Sequence, residues 1–163
     1  MTEIHPEQVP QAGHAEARHS MSVALDPAQR CPCGSGDTYA ACCRRFHAGA
    51  PAPTAEALMR ARYSANALMS EDPQFFGGYL HRSWAPETRP ALAVLSRPGA
   101  RWTRLAILGT SGGGPFETHG TVEFVASYED LSAGHARGRG RHHELSRFRR
   151  ESGQWLYIDG DVT

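Results

Sequence analysis

An α+β fold, with helices first and a curved antiparallel sheet wrapped around them, follows from three features of this sequence. Between residues 54 and 95 two helix-capping signals open segments with helical apolar stripes. From residue 102 onward, stretches of alternating apolar and polar residues are separated by Gly-rich turns. All four cysteines lie ahead of both regions, between Cys31 and Cys43. Helices followed by an antiparallel meander is the order of an α+β domain, and a length of 163 residues suits one such domain with a small appendage. The boundaries that follow are a disordered tail over 1–29, a cysteine knuckle over 30–47, a linker over 48–53 and the α+β domain over 54–163.

The tail is rich in Pro, His, Gln, Glu and Ala and has no sustained apolar period, so it cannot bury enough surface to order itself. Its His5, His14 and His19 read as solvated side chains, and Met21 stands as a second candidate start. In the knuckle, Cys31, Cys33, Cys42 and Cys43 have C-x-C…C-C spacing, enough soft ligands to close a tetrahedral thiolate site around zinc. A tetrahedral set of sulfurs suits iron as well. Two disulfides, or four reduced thiols in a loop, are the competing readings, and the adjacency of Cys42 and Cys43 makes a disulfide pairing awkward. Gly34-Ser35-Gly36 supplies the tight reversal between the two pairs, and Thr38–Phe46 reads as a short helix carrying Cys42 and Cys43. Arg30, Arg44 and Arg45 flank a site that four thiolates would leave negatively charged.

The linker, Ala48–Pro53, is stiffened by its prolines. Thr54 then caps a helix running to about Met69, with Glu56 in its first turn; Leu58, Arg62 and Ala65 share one stripe, and Met59, Tyr63 and Ala67 an adjacent one. Asp72-Pro73 is a second cap, opening a helix with Phe75, Phe76, Tyr79 and Leu80 that Gly77-Gly78 weakens. Pro86 and Pro90 bracket a turn before a helical piece over Ala91–Leu95. The strands are Trp102–Gly109, Thr118–Tyr128, a long one ending near Arg150, and Trp155–Asp159. Their connections are a loop over Ser111–Pro115, a turn around Ser132–Gly134, and Ser152-Gly153.

Composition excludes several functions. Net formal charge is zero, so affinity for nucleic acid must come from a local patch. All seventeen basic residues are arginine, which removes a P-loop lysine, a Schiff-base lysine and a lysine general base. No apolar run approaches a membrane span of ~20 residues. The N-terminus lacks the basic start and apolar segment of a secretory signal, so reduced cysteines in the cytoplasm are the expectation.

Two further constellations bear on chemistry. In the third strand Arg137, Arg139, Arg141, His143, Leu145, Arg147 and Arg149 share one parity, and so one face. This basic surface is either a ridge tracking RNA phosphates or a solvated sheet face paired with carboxylates such as Glu123 and Glu129. The open end of a curved sheet leaves a pocket, for which the polar candidates are Arg62, Tyr63, Trp84, His143, Glu144 and Ser146, with Tyr128 and Asp159 at the rim. His143 and Glu144 are adjacent in a strand, so at most one of them enters it. No G-x-S-x-G elbow and no phosphate loop are present, and no catalytic residue is assigned.

The run Cys31-Pro32-Cys33-Gly34-Ser35-Gly36, with Tyr39 and Cys42-Cys43, resembles the SEC-C zinc motif, best known from the tail of the bacterial preprotein translocase ATPase. There the last pair is Cys-His, and the motif contacts a secretion chaperone and the ribosome; here it is Cys-Cys. Ala55–Ala65, Tyr79-Leu80, Trp84–Pro86, Arg89-Pro90, Gly120–Ala126, His143–Phe148 and Gly153–Gly160 are similar in content and order to the uncharacterised bacterial YchJ-like proteins. The resemblance runs from about residue 28 to the C-terminus. It implies a cystatin-like, nuclear-transport-factor-like domain behind a zinc knuckle, and no established reaction. The expectation is a zinc-binding cytosolic interaction protein that docks a protein partner through its knuckle. The alternatives are a small-molecule enzyme or binder using the pocket, and an RNA- or ribosome-associated factor.

Overall fold

The computed structural model describes residue 26, residues 28–130 and residues 138–163. The tail over 1–25, the turn around Ser132–Gly134 and Arg137 therefore lie outside the described residues. Four helices precede four strands among those described: α1 (Arg44–His47), α2 (Ala55–Ala67), α3 (Pro73–Arg82), α4 (Leu92–Leu95), β1 (Arg101–Gly112), β2 (His119–Asp130), β3 (Gly138–Glu151) and β4 (Gln154–Val162). The strands form one antiparallel sheet in the order β1-β2-β3-β4.

Local chemistry sets the helix starts as the sequence predicts. Thr54 is extended, and its hydroxyl accepts the Ala57 N–H at 3.0 Å, satisfying a donor that the first turn of α2 leaves open. Asp72 does the same for Phe75 N–H at 2.9 Å, with Pro73 at the first helical position, where its missing N–H costs nothing. α2 ends at Ala67, two residues before the expected limit, where the Leu68 N–H closes onto Ser64 O. The first strand is longer than expected and takes in Ser111 and Gly112.

The knuckle differs in kind from the expectation. Cys42 and Cys43 do not ride a helix over Thr38–Phe46; they sit in consecutive turns, and α1 begins only at Arg44. Neighbours in an α-helix project about 100° apart, because the helix has 3.6 residues per turn. Cys43 keeps helical dihedrals (φ −72°, ψ −22°), and the turn before it is closed by the Cys42 and Arg44 N–H groups, both donating to Tyr39 O. Upstream, the Cys31 N–H donates to Asp37 O and the Tyr39 N–H to Gln29 O, drawing residues 29–39 into a narrow loop. Gly34 and Gly36 turn it with φ of 76° and 92°, a region closed to most side chains.

α2 lies between this knuckle and the concave face of the sheet. Leu58, Met59, Ala61, Arg62, Tyr63, Ser64 and Ala65 are all buried, so almost every side of the helix is covered. On the sheet side it meets Val122, Phe124 and Ala126 of β2, Phe148 of β3 and Trp155 of β4 in one apolar core. That core also contains Cys31, Cys33, Tyr39, Cys43 and Phe46, so knuckle and sheet share a single interior across α2. Segment 48–53 is tied down as well: Ala52 is buried, and the Trp155 indole donates to Pro53 O at 3.3 Å. Sheet curvature follows from irregular register between Trp102 and Arg104, between Ile107 and Gly109, and between Arg147 and Phe148.

Candidate functional site

The four cysteines converge. Their sulfurs all lie within 4.8 Å of one another; Cys31, Cys33 and Cys43 are buried and Cys42 is half-buried. A zinc–sulfur bond of about 2.3 Å makes the edge of a regular sulfur tetrahedron ~3.8 Å. The Cys33–Cys42 and Cys42–Cys43 separations are 3.6 and 3.8 Å. The donor set thus fits a four-coordinate metal in both spacing and chemistry.

Two serines reach the sulfurs. Ser35 Oγ donates to Cys42 at 3.3 Å; Ser64 Oγ, projecting from α2, donates to Cys43 at 3.4 Å and stands 3.7 Å from Cys31. Hydrogen bonds from Cys31 and Cys43 hold the Cys33 thiol well below its ordinary pKa. Burial pushes Cys42 up to about 11, and its contacts with Cys31 and Cys33, then burial, push Cys43 higher still. Four thiolates cannot coexist there without a cation, which is the electrostatic demand that a divalent metal meets.

The knuckle is fastened to α2 by more than the sulfurs. Tyr39 Oη lies 2.7 Å from His47 Nδ1, and His47 Nε2 lies 2.8 Å from Ala61 O. A carbonyl can only accept, so Nε2 carries the proton and Nδ1 accepts from the phenol. Burial lowers the His47 pKa to about 4 and so keeps the ring neutral. The ring also packs edge-on against Phe76 and Tyr79. Arg60 Nη1 donates to Cys33 O at 3.0 Å, closing the contact from the helix side.

A separate cavity of about 180 Å³ opens between α2 and the sheet. Arg62, 6 % exposed, lines one wall; its Nη1 donates to Leu80 O at 3.1 Å and to Ser83 Oγ at 2.8 Å. Its guanidinium carbon lies 4.4 Å from the Tyr157 ring centre and 4.8 Å from that of Trp84, a cation packed against two rings that stand at 86° to each other. Burial lowers its pKa to about 10, which still leaves it charged at neutral pH. Glu144, 8 % exposed, also lines the cavity, close enough for its charge to favour the charged form of Arg62. Its Oε1 accepts from Ser146 Oγ at 2.7 Å and Tyr157 Oη at 2.8 Å, and its Oε2 accepts from His142 Nε2 at 2.7 Å. Tyr63, Asn66, Trp102 and Phe124 complete most of the wall.

Of the residues expected at the pocket, Arg62, Tyr63, Trp84, Glu144 and Ser146 line it. His143 does not. It takes the outer sheet face, where Nε2 donates to Glu123 at 2.8 Å and Nδ1 accepts from Thr163 Oγ1 at 2.9 Å. Its neighbour His142 has the parity of Glu144 and enters instead. Asp159 is also turned outward, bonded to Arg147 at 2.5 Å, because the bulge opposite Arg147 and Phe148 shifts the phase of β4 and leaves Tyr157 facing in. Tyr128 packs on Trp102 with ring centres 5.4 Å apart and stays behind the wall. Sequence reasoning missed His142, Tyr157, Asn66 and Trp102; the shared parity of His142, Glu144, Ser146 and Phe148 was the available signal.

On the outer face, β3 carries its expected row, interlocked with acids. Arg139 is 3.7 Å from Glu129, which also accepts from Arg101 at 2.6 Å. Arg147 bonds Asp159 and Asp161, while Arg149 bonds Glu87 and lies 2.7 Å from Glu151. Arg149 holds the Glu87 carboxyl down at about 2. Arg141 is exposed.

Both parts of the chain are similar to known proteins. Residues 54–160 match the family model described as YchJ, middle NTF2-like domain, and residues 28–45 match the SEC-C motif. A UPF0225 protein of Streptomyces coelicolor is 51% identical over 136 residues, covering 83% of this chain and 97% of that one. A UPF0225 protein of Corynebacterium glutamicum is 47% identical over 135 residues, covering 82% and 98%. The solution structure of a SEC-C motif containing protein from Rhodopseudomonas palustris superposes with a TM-score of 0.66 at 33% identity, covering 82% of this chain and 98% of that one.

Proposed function

Because the chain belongs to the YchJ-like UPF0225 family, a SEC-C motif followed by an NTF2-like domain, we propose that it is a zinc-binding cytosolic interaction protein and not a metalloenzyme. The observation that supports this most is closure of the sulfur cluster: four thiol ligands within 4.8 Å of one another leave no coordination position for water or substrate. Catalytic zinc sites keep such a position, and structural ones do not. Bound there, zinc would offset half the charge of four buried thiolates and cross-link Cys31 and Cys33 to Cys42 and Cys43. Iron would fit the same sulfurs but would colour the protein.

The docking face in this reading is the outer side of the knuckle. Gly34–Asp37, Arg44 and Arg45 are exposed there, and with Arg30 they offer a basic rim to an acidic protein surface. Among the described residues no helix is long and apolar enough to cross a membrane. RNA is the less supported partner, because Arg139, Arg147 and Arg149 are each already matched to a carboxylate.

Elemental analysis of the reduced, purified protein tests the metal, with one zinc per chain expected. No bound metal, with all four thiols titrating freely in the native protein, would overturn it. Docking is tested by replacing Arg44 and Arg45 with glutamate, which leaves every sulfur in place. Loss of co-purifying protein at unchanged zinc content supports the knuckle as the docking face, and an unchanged set of partners removes it.

A further inference from the structure

We propose that the cavity between α2 and the sheet is a receptor for a small aromatic or alicyclic carboxylic acid, with Arg62 as the carboxylate clamp. The argument starts from an imbalance between two buried charges. Glu144 already accepts three hydrogen bonds, from Ser146, Tyr157 and His142, so its charge is met by the protein. Arg62 feels the Glu144 charge through space but has no direct ion pair. Among the described residues no carboxylate lies within ion-pair distance of it, and its two hydrogen bonds both leave from Nη1. A guanidinium has five N–H donors, so the edge formed by Nε and Nη2 remains for the cavity that Arg62 lines.

That edge presents two parallel N–H groups, the geometry that matches the two oxygens of a carboxylate. The Trp84 and Tyr157 rings, at 86° to each other with centres 4.7 Å apart, both pack against the guanidinium and narrow the approaches to it. A buried charge without a partner is expensive, and an incoming carboxylate would supply the partner. The rest of the ligand meets Tyr63, Trp102, Phe124 and Met59, surfaces suited to a ring and offering little to a polar chain. At about 180 Å³ the space suits a single ring with a carboxylate. Glu144 has a positioning part: it fixes Tyr157 over Arg62 and His142 against Trp102 and Phe124.

Benzoate is the probe, and methionine methyl resonances are the readout. Met59 lines the cavity, whereas Met69 is buried in the core and is absent from the lining, so it serves as an internal control. The full chain with zinc bound should show a saturable shift of the Met59 methyl on titration with benzoate, with Met69 unmoved. Benzyl alcohol, which keeps the ring and removes the charge, should bind about tenfold or more weaker, the loss expected for charge-assisted hydrogen bonds. Arg62→Gln, where its methyl spectrum shows the native fold, should lower benzoate affinity to that of the alcohol. Should that variant fail to fold, the two wild-type titrations decide alone. No saturable Met59 shift up to millimolar benzoate, or equal affinity for acid and alcohol, would overturn the proposal.

Discussion

Replacing Tyr39 by phenylalanine removes one oxygen and asks whether the knuckle and the body are one structure. The phenol donates to His47 Nδ1 at 2.7 Å, and both residues are almost wholly buried. Without the hydroxyl, Nδ1 becomes a buried acceptor with no partner, since Nε2 is committed to Ala61 O. Such an orphan costs about 1–3 kcal/mol, with a small further loss for the missing volume. Within a domain of this size 1 kcal/mol moves the melting temperature by about 2–4 °C, so Tyr39→Phe should melt about 3–10 °C lower. The assay is thermal denaturation with zinc saturating, followed by the far-ultraviolet signal of the sheet, which the knuckle itself contributes little to. One cooperative transition shifted to lower temperature is expected. A sheet transition at the wild-type temperature, with only local loosening around the cysteines, would refute the shared interior and restore two independent modules.

Gly160→Ala should lose about 1–3 kcal/mol by overpacking, because its Cβ would stand 2.5 Å from Glu144 Cδ; a urea midpoint equal to wild type would contradict the placement of that carboxylate. Acid should weaken the fold through His47. Its folded pKa is about 4 against 6.5 in the open chain, so the unfolded state takes up the extra proton and stability falls as pH drops from 6.5 towards 4, by up to about 3 kcal/mol. Proton NMR of the histidines checks this directly, and a His47 resonance titrating near its ordinary pKa would contradict it. RNA affinity at low salt should be weak, and replacing Arg139 and Arg141 with alanine should leave its salt slope unchanged; a steep slope that these changes flatten would make β3 a phosphate ridge.

What could be read in the sequence was what local chemistry decides. Thr54 and Asp72 mark their helices because a cap needs only residues two or three positions away. The cysteine cluster was legible because its spacing allows few other fates. The parity of β3 was legible too, yet it places His142 and not His143 beside Glu144, and following Phe148 inward would have given the right histidine. Tyr157 and Asp159 were harder, since a bulge between strands puts these two residues of equal parity on opposite faces and leaves no local mark. The role of α2 was hidden for a different reason. A helix covered on one side by a sheet and on the other by a knuckle buries Ser64 and Arg62 together, so no single apolar stripe shows which partner each residue meets. His47 carries no pattern at all, because its partner Ala61 is set by the docking of the knuckle on α2.

X-ray absorption at the zinc edge of the purified protein tests the metal centre most directly. The geometry of Cys31, Cys33, Cys42 and Cys43 predicts a first shell of four sulfurs at about 2.3 Å and no lighter ligand. A shell containing nitrogen or oxygen, or fewer than four sulfurs, would contradict the closed thiolate site and with it the structural role assigned to the metal.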